Sequence, residues 1–297
     1  MQETRFQRRL GTALVVAAAI AWSTAPFFTR LLHLDSWTIL FWRGLFGGGF
    51  ITAFLVLTRG RAGVRELAET GKSGWLVAGL STLGMVTFIP ALQLTNVSNV
   101  AIIIATGPFV AAGIAWIWLG EATHRSTLIA GLVALCGIAI IVGNPGGAAD
   151  FRGIGLACIM TVAIAAMTVA VRRHKQSSMV AAAGLSNFLG SLVSIPFADG
   201  LADVRGHDLA VLAMFGLFQV GMGLTLFVLG SRLLPSGQAS LIATLETPLM
   251  PFWVWLAFHE LPTQRALIGG SLVMGAVVAD IISDNWTRAR SGAASNR

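Results

Sequence analysis

The sequence predicts an all-α, polytopic membrane protein, and three observations carry that prediction. Of its 297 residues, 55% are hydrophobic and only 11% are charged, against roughly a quarter charged in a soluble domain. Apolar runs close to the ~20 residues that cross a bilayer as a helix follow one another almost without gaps. The connections between those runs are too short to hold a soluble domain.

Ten helices are expected, at about 11–32, 36–58, 74–94, 97–118, 126–143, 152–172, 178–197, 208–230, 236–257 and 264–282. The basic N-terminus MQETRFQRRLG precedes a run too long for a signal peptide's central region, and no small-residue cleavage site closes it. The first run is therefore expected to remain as a helix. The second carries Arg43 and the glycines Gly44, Gly47, Gly48 and Gly49, which are expected to let helices approach closely. The fifth and sixth carry the two cysteines, Cys136 and Cys158, whose spacing fits neither a metal site nor a disulfide framework. The tenth is followed by a basic tail.

Lys and Arg set the orientation, because they concentrate in cytoplasmic connections. Fifteen of the 20 fall in the two tails and alternate connections, including Arg5, Arg8, Arg9, Arg59, Lys72 and Arg173. The opposite connections hold four, Arg30, Arg152, Arg205 and Arg265, and Arg43 is left inside the second run. Both termini are expected on the cytoplasmic side of a bacterial-type inner membrane. Although the net charge is +7, the basic residues are scattered over loops, which argues against a nucleic-acid partner.

The halves repeat. A shift of 139 positions carries Gly84, Phe88 and Leu94 onto Gly223, Phe227 and Leu233, and Trp116 and Glu121 onto Trp255 and Glu260. A shift of 142 carries Gly11 and Arg30 onto Gly153 and Arg172. The expected units are a first five-helix repeat (1–145), a second (146–284) and a cytoplasmic tail (285–297). Five is an odd number, so the second repeat enters the membrane from the opposite side. Inverted repeats around a midplane site are the architecture of secondary transporters.

The stretches AIAWSTAPFFTRLL (19–32), FWRG (41–44), SNVAIIIATGPFVAAGIAWIWLGE (98–121) and SGQASLIATLETPLMPFWVWLAFHE (236–260) resemble the drug/metabolite transporter superfamily, specifically its ten-helix EamA-type exporters. In overall sequence the chain looks most like the aromatic amino-acid exporters. In that family each fourth repeat helix has a central proline and a terminal Gly-Glu pair. The first repeat matches at Pro108, Gly120 and Glu121; the second departs from it, with Thr247 before Pro248 and His259 in place of the glycine. The resemblance implies an inner-membrane exporter of small metabolites, with amino acids, aromatic or otherwise apolar, as the expected cargo. A broad drug or lipophilic-cation exporter of the same fold is the alternative.

An ionisable side chain at membrane depth costs a few kcal/mol and usually faces a cavity or a partner. Arg43 and Glu246 are the two deepest. Either they pair, contact solute, or bind the backbone of other helices. Pro248 and Pro251 withhold donors from the carbonyls of Thr244 and Thr247, and Pro108 does the same to Ile104 beside Thr106. These breaks either line a cavity or only kink the helix. Asn187, with Ser191 and Ser194, and Gln219 are polar positions that line a path or join helices. Trp22 and Phe88 offer apolar wall or core. All five histidines fall at helix ends or in loops, so neither a metal centre, a cofactor nor a histidine relay is expected. Nothing resembles a catalytic triad or dyad, which leaves a lipid-modifying enzyme as a remote alternative. The expected partners are a small-molecule substrate and the lipid bilayer.

Overall fold

In the computed structural model, residues 2–68, 71–120, 125–142, 148–173, 179–231, 233, 242–243, 245–265, 267–276 and 278–279 are described. They form helices and connections, with no strand among the described residues. The helices are α1 (Gln2–Ser23), α2 (Ala25–Leu31), α3 (Ser36–Arg59), α4 (Arg61–Ala68), α5 (Lys72–Leu94), α6 (Val97–Ala105), α7 (Gly107–Leu119), α8 (Arg125–Val142), α9 (Ala148–Arg173), α10 (Met179–Ser194), α11 (Gly206–Met214), α12 (Gly223–Ser231), α13 (Glu246–Phe258) and α14 (Leu267–Ala276). Residues Phe215–Met222, between α11 and α12, are π-helical.

Among the described residues, seven helical stretches are long and apolar enough to cross a membrane: Arg9–Leu31, Ser36–Arg59, Lys72–Leu94, Val97–Leu119, Asp150–Val171, Val180–Phe197 and Gly206–Ser231. The runs expected at 126–143, 236–257 and 264–282 are helical at α8, α13 and α14, and parts of each lie outside the described residues. Residues such as Leu57, Trp116 and Ile117 are exposed on the outer surface, where lipid is their natural solvent.

Local chemistry sets the ends. The Asp35 carboxylate accepts from the backbone N–H groups of Trp37 and Thr38, both at 2.9 Å, and caps α3. Gly60, at φ 55°, closes the same helix. Pro90, which is not among the prolines singled out above, is tolerated inside α5 although it withholds a ladder bond.

Two of the spans are interrupted. The first breaks at Thr24, ahead of Pro26, and the freed carbonyls are satisfied locally: Ser23 Oγ donates to Ile20 O at 2.8 Å and Thr24 Oγ1 to Ala21 O at 2.6 Å. The fourth breaks at Thr106, whose hydroxyl donates to Ile103 O at 2.7 Å. A helix also starts afresh at Glu246. Pro108 and Pro248 both lie in the first turn of the helix that follows, where N–H groups have no intrahelical acceptor. Pro108 thus follows the interruption of the fourth span at Thr106, Pro248 lies in the opening turn of α13, and Pro251 lies inside that helix.

α7 and α13 correspond closely. Each has 13 residues, and Gly107 and Glu246, which open them, stand 139 positions apart. The same interval separates Gly120 and His259, which end them in the left-handed conformation. His259 is the one non-glycine residue with positive φ among those described.

α9 passes between both faces of the bundle. Its Asp150 end meets Thr95, beside Arg30 and Glu260, while its Arg173 end meets Trp118 at the close of α7. The first span therefore finishes at the face where α9 begins. α5 packs on α9, α3 on α10, and α1 on α12; α7 lies against α9 and α13 against α2. The main core, with Leu40, Phe88, Leu92, Ile103, Phe215 and Met250, fills the space between them.

Candidate functional site

The interruption of the first span at Thr24 is the centre of a polar group at membrane depth. Arg43, part-way along α3 and only 4% exposed, extends its guanidinium across to the π-helical segment. There Nε and Nη2 donate to Gln219 Oε1 at 3.3 and 2.9 Å, and the guanidinium carbon lies 5.0 Å from the centre of the Phe215 ring. Phe28 of α2 stacks on the same ring, with centroids 5.0 Å apart. Gln219, 6% exposed, passes the contact on, donating Nε2 to Trp22 O at 3.4 Å. The Trp22 ring lies 5.1 Å from that of Phe227 and against Gly223, where a side chain would collide with the indole.

On the other side of the break, Trp253 Nε1 donates to Ser23 Oγ at 2.8 Å. Glu246, Met250 and Trp253 fall at i, i+4 and i+7, on one face of α13. Met250 is fully buried and Trp253 reaches Ser23, so that face is turned into the bundle. Glu246 has no hydrogen-bond or ion-pair partner among the described residues, and Arg43 is bonded to Gln219, not to it.

Magnitudes show what this arrangement does. Arginine at the centre of a membrane helix costs about 2.5–3.5 kcal/mol on insertion scales. Hydrogen bonds to a charged group contribute about 1.5–3 kcal/mol, and a cation–π contact about 0.5–2 kcal/mol. Gln219 and Phe215 together can hold the guanidinium in place, yet both are neutral. Its Nη1 is buried with no acceptor among the described residues. A net positive charge with one free donor therefore stands in the interior. The π-helical turn carrying Gln219 fits this site, since such turns concentrate where function distorts a helix.

The structure thus brings together Trp22, Arg43 and Gln219, and ties Glu246's helix to the same break. The other candidates lie elsewhere. Thr106 lines a cavity of about 590 Å³ between α6, α7, α8 and α9, otherwise almost wholly apolar. Leu132, Leu135 and Val162, on its wall, are exposed, so it opens toward the outer surface. Phe88 packs in the main core. Asn187 stands where α10 meets α3, donating Nδ2 to Ala183 O at 2.8 Å. Its neighbour Ser191 donates to Phe41 O at 2.8 Å, and a side chain at Gly44 would meet that hydroxyl at 2.5 Å. The stripe joins helices here. Thr244 lies outside the described residues.

Phe215, Ser23 and Trp253 complete the group and do not stand out in the sequence. Phe215 is the most legible of the three, standing one helical turn before Gln219. Among the described residues no set of His, Cys, Asp and Glu converges as metal ligands, and both cysteines are free.

The EamA-like transporter family profile matches residues 9–143 and again residues 151–279. The chain is similar to an uncharacterized transporter of Archaeoglobus fulgidus, 23% identical over 275 residues, which are 91% of this chain and 96% of that one. It is 28% identical over 138 residues to protein RarD of Salmonella typhi, covering 45% of this chain and 47% of the relative. A protein of known crystal structure superposes with a TM-score of 0.65 at 18% identity, over 91% of this chain and 95% of the other; the likeness is one of fold.

Proposed function

The chain belongs to the EamA-like transporter family and is a multi-pass membrane transporter of small molecules, and on that premise we propose that it exports amino acids, aromatic or otherwise apolar, from the cytoplasm. The architecture we propose is ten spans in two inverted five-helix repeats, 1–145 and 146–284, with a tail at 285–297. Both termini would be cytoplasmic and the membrane a bacterial-type inner membrane. Three observations support it: the family profile fits each half once, α7 and α13 begin and end 139 positions apart, and the first span and α9 run in opposite directions. The halves would rock about the break at Thr24 to give alternating access.

The observation that carries the cargo assignment is the buried charge of Arg43, whose Nη1 has no acceptor and whose guanidinium meets only the neutral Gln219 and Phe215 side chains among the described residues. A carboxylate on the solute supplies the missing partner. Glu246, without a partner among the described residues, suits the solute's ammonium group, and Trp22 and Phe28 provide apolar surface for its side chain. Thr106, Asn187 and Phe88 are proposed to act on this site through helix packing, and Thr244 to offer the solute a hydrogen bond.

Uptake of a panel of labelled amino acids into proteoliposomes, with and without a pH gradient, tests the reading. Transport of aromatic amino acids, and none of the corresponding amines lacking a carboxylate, is the expected result. Glu246 by itself would also attract a lipophilic cation, which is the second reading; competition by such cations, with no amino-acid uptake, would favour it.

A further inference from the structure

At the end of the bundle where Arg30 lies, residues of both halves wall a cavity of about 690 Å³. Two of its bonds join the halves. Arg30 donates Nε to Glu260 Oε2 at 3.0 Å and Nη2 to Oε1 at 3.3 Å, and the Thr95 hydroxyl donates to the Asp150 carboxylate. Arg30 Nη2 also donates to Thr95 O at 3.4 Å, and Asn99 Nδ2 donates to the Thr95 hydroxyl at 3.2 Å. The two cross-half bonds are therefore linked into one strap. At the opposite end, Arg173 donates to Trp118 O at 3.3 Å and lies over the Trp118 ring, 5.5 Å from its centre. Among the described residues, the cross-half acceptor at that end is a neutral carbonyl.

The geometry points to Arg30, Glu260, Thr95 and Asp150 as the gate that closes the non-cytoplasmic end of the transport path. The assignment rests on the transport reading and orientation proposed above. Each bond has one partner in each half, so any rocking that opens this end must break both. Arg30 and Glu260 are each 26% exposed, and a pair of that kind biases a two-state equilibrium by about fivefold at most. A bias of that size keeps the outer end closed at rest and still lets it open in every cycle. A carrier that loads from the cytoplasm needs that resting state.

Ile103, one helical turn deeper than Asn99, is buried on the wall of the apolar cavity that Thr106 lines. With Cys136→Ser and Cys158→Ser, the substitution Ile103→Cys leaves a single thiol beneath the strap. In right-side-out vesicles, a membrane-impermeant maleimide should label it slowly in this background. Labelling should be about fivefold faster with Glu260→Gln, and slow again when Arg30→Glu and Glu260→Arg are combined. Equal rates with and without Glu260→Gln overturn the gate, as does fast labelling of the charge-swapped protein. Thermal melting in detergent reports whether each variant is folded; if Glu260→Gln is not, Thr95→Val breaks the other bond and is read by the same criterion. Labelling needs no solute, so a protein that labels as expected yet carries no amino acid loses only the cargo assignment.

Discussion

Arg43 and Gln219, 176 residues apart in sequence, are joined by two hydrogen bonds from one guanidinium to one amide oxygen, at 2.9 and 3.3 Å, inside the membrane-spanning bundle. Charge on one side and neutrality on the other make this contact a holder and not a counter-ion. The site is thereby left ready for a negative group.

Replacing Arg43 by methionine is expected to keep the fold and remove the anchor for a carboxylate. The lost cost of burying the charge offsets much of the lost bonding. Affinity for a carboxylate-bearing solute should fall at least about tenfold, the ~1.4 kcal/mol or more that a charged hydrogen bond contributes. Saturation curves in proteoliposomes would show it, and an unchanged half-saturation concentration would remove Arg43 from the binding role. Arg43→Lys should lie between the two, because an ammonium cannot reproduce the fork.

Glu246→Gln is expected to weaken amino-acid transport and leave thermal stability close to that of the parent, since the carboxylate has no described partner to lose. Unchanged rate and affinity would show that Glu246 contacts neither the ammonium group nor a coupling proton.

A side chain at Gly216 would come within 2.7 Å of the Arg43 carbonyl and 2.8 Å of the Gly47 nitrogen. Both are backbone atoms and cannot rotate away. Gly216→Ala should cost about 1–3 kcal/mol through overpacking and lower the melting temperature. Gly49, with no atom near the place a side chain would take, is the control: Gly49→Ala should be neutral or stabilising by up to about 1 kcal/mol, the helix preference of alanine.

His259 closes α13 at φ 56°, where a side chain is strained. His259→Gly restores the residue that its counterpart Gly120 has and should raise stability by up to about 1 kcal/mol. Differential scanning measurements in detergent would show a melting shift of a few degrees upward, with transport retained.

Trp253→Phe deletes the indole N–H that reaches Ser23 Oγ. Hydrogen bonds between membrane helices contribute about 0.6–1.7 kcal/mol, so a loss in that range is expected. The larger consequence should be functional, because this bond ties Glu246's helix to the break in the first span; a variant that transports normally would show that the tie is dispensable.

Polar residues stand out in apolar runs, so Trp22, Arg43, Gln219 and Glu246 are legible as candidates from the amino-acid order alone. The interval of 139 is legible too, and the starts of α7 and α13 reproduce it. Which candidates meet is not. Membrane helices are apolar on all sides, so periodicity does not mark the inward face. Nothing local separates Gln219, which meets Arg43, from Asn187, which bonds within its own helix to Ala183 O. The prolines are legible only in part. Pro108 marks the interruption of the fourth span, but the sequence does not reveal that new helices start just ahead of it and of Pro248, at Gly107 and at Glu246.

The π-helical turn at Phe215–Met222 also explains how one span can serve two neighbours. Widening the ladder fits one extra residue into the turn, and one residue is about 100° of α-helical rotation. α11 and the turn itself lie along α3, whereas α12 lies along α1. The phase slip reconciles them: Gln219 keeps its place opposite Arg43 while Gly223, four residues on, comes flush with Trp22. Deleting a single residue between 215 and 222 would restore regular winding and force one of those two registrations to fail, a heavier loss than any one side-chain change in the span.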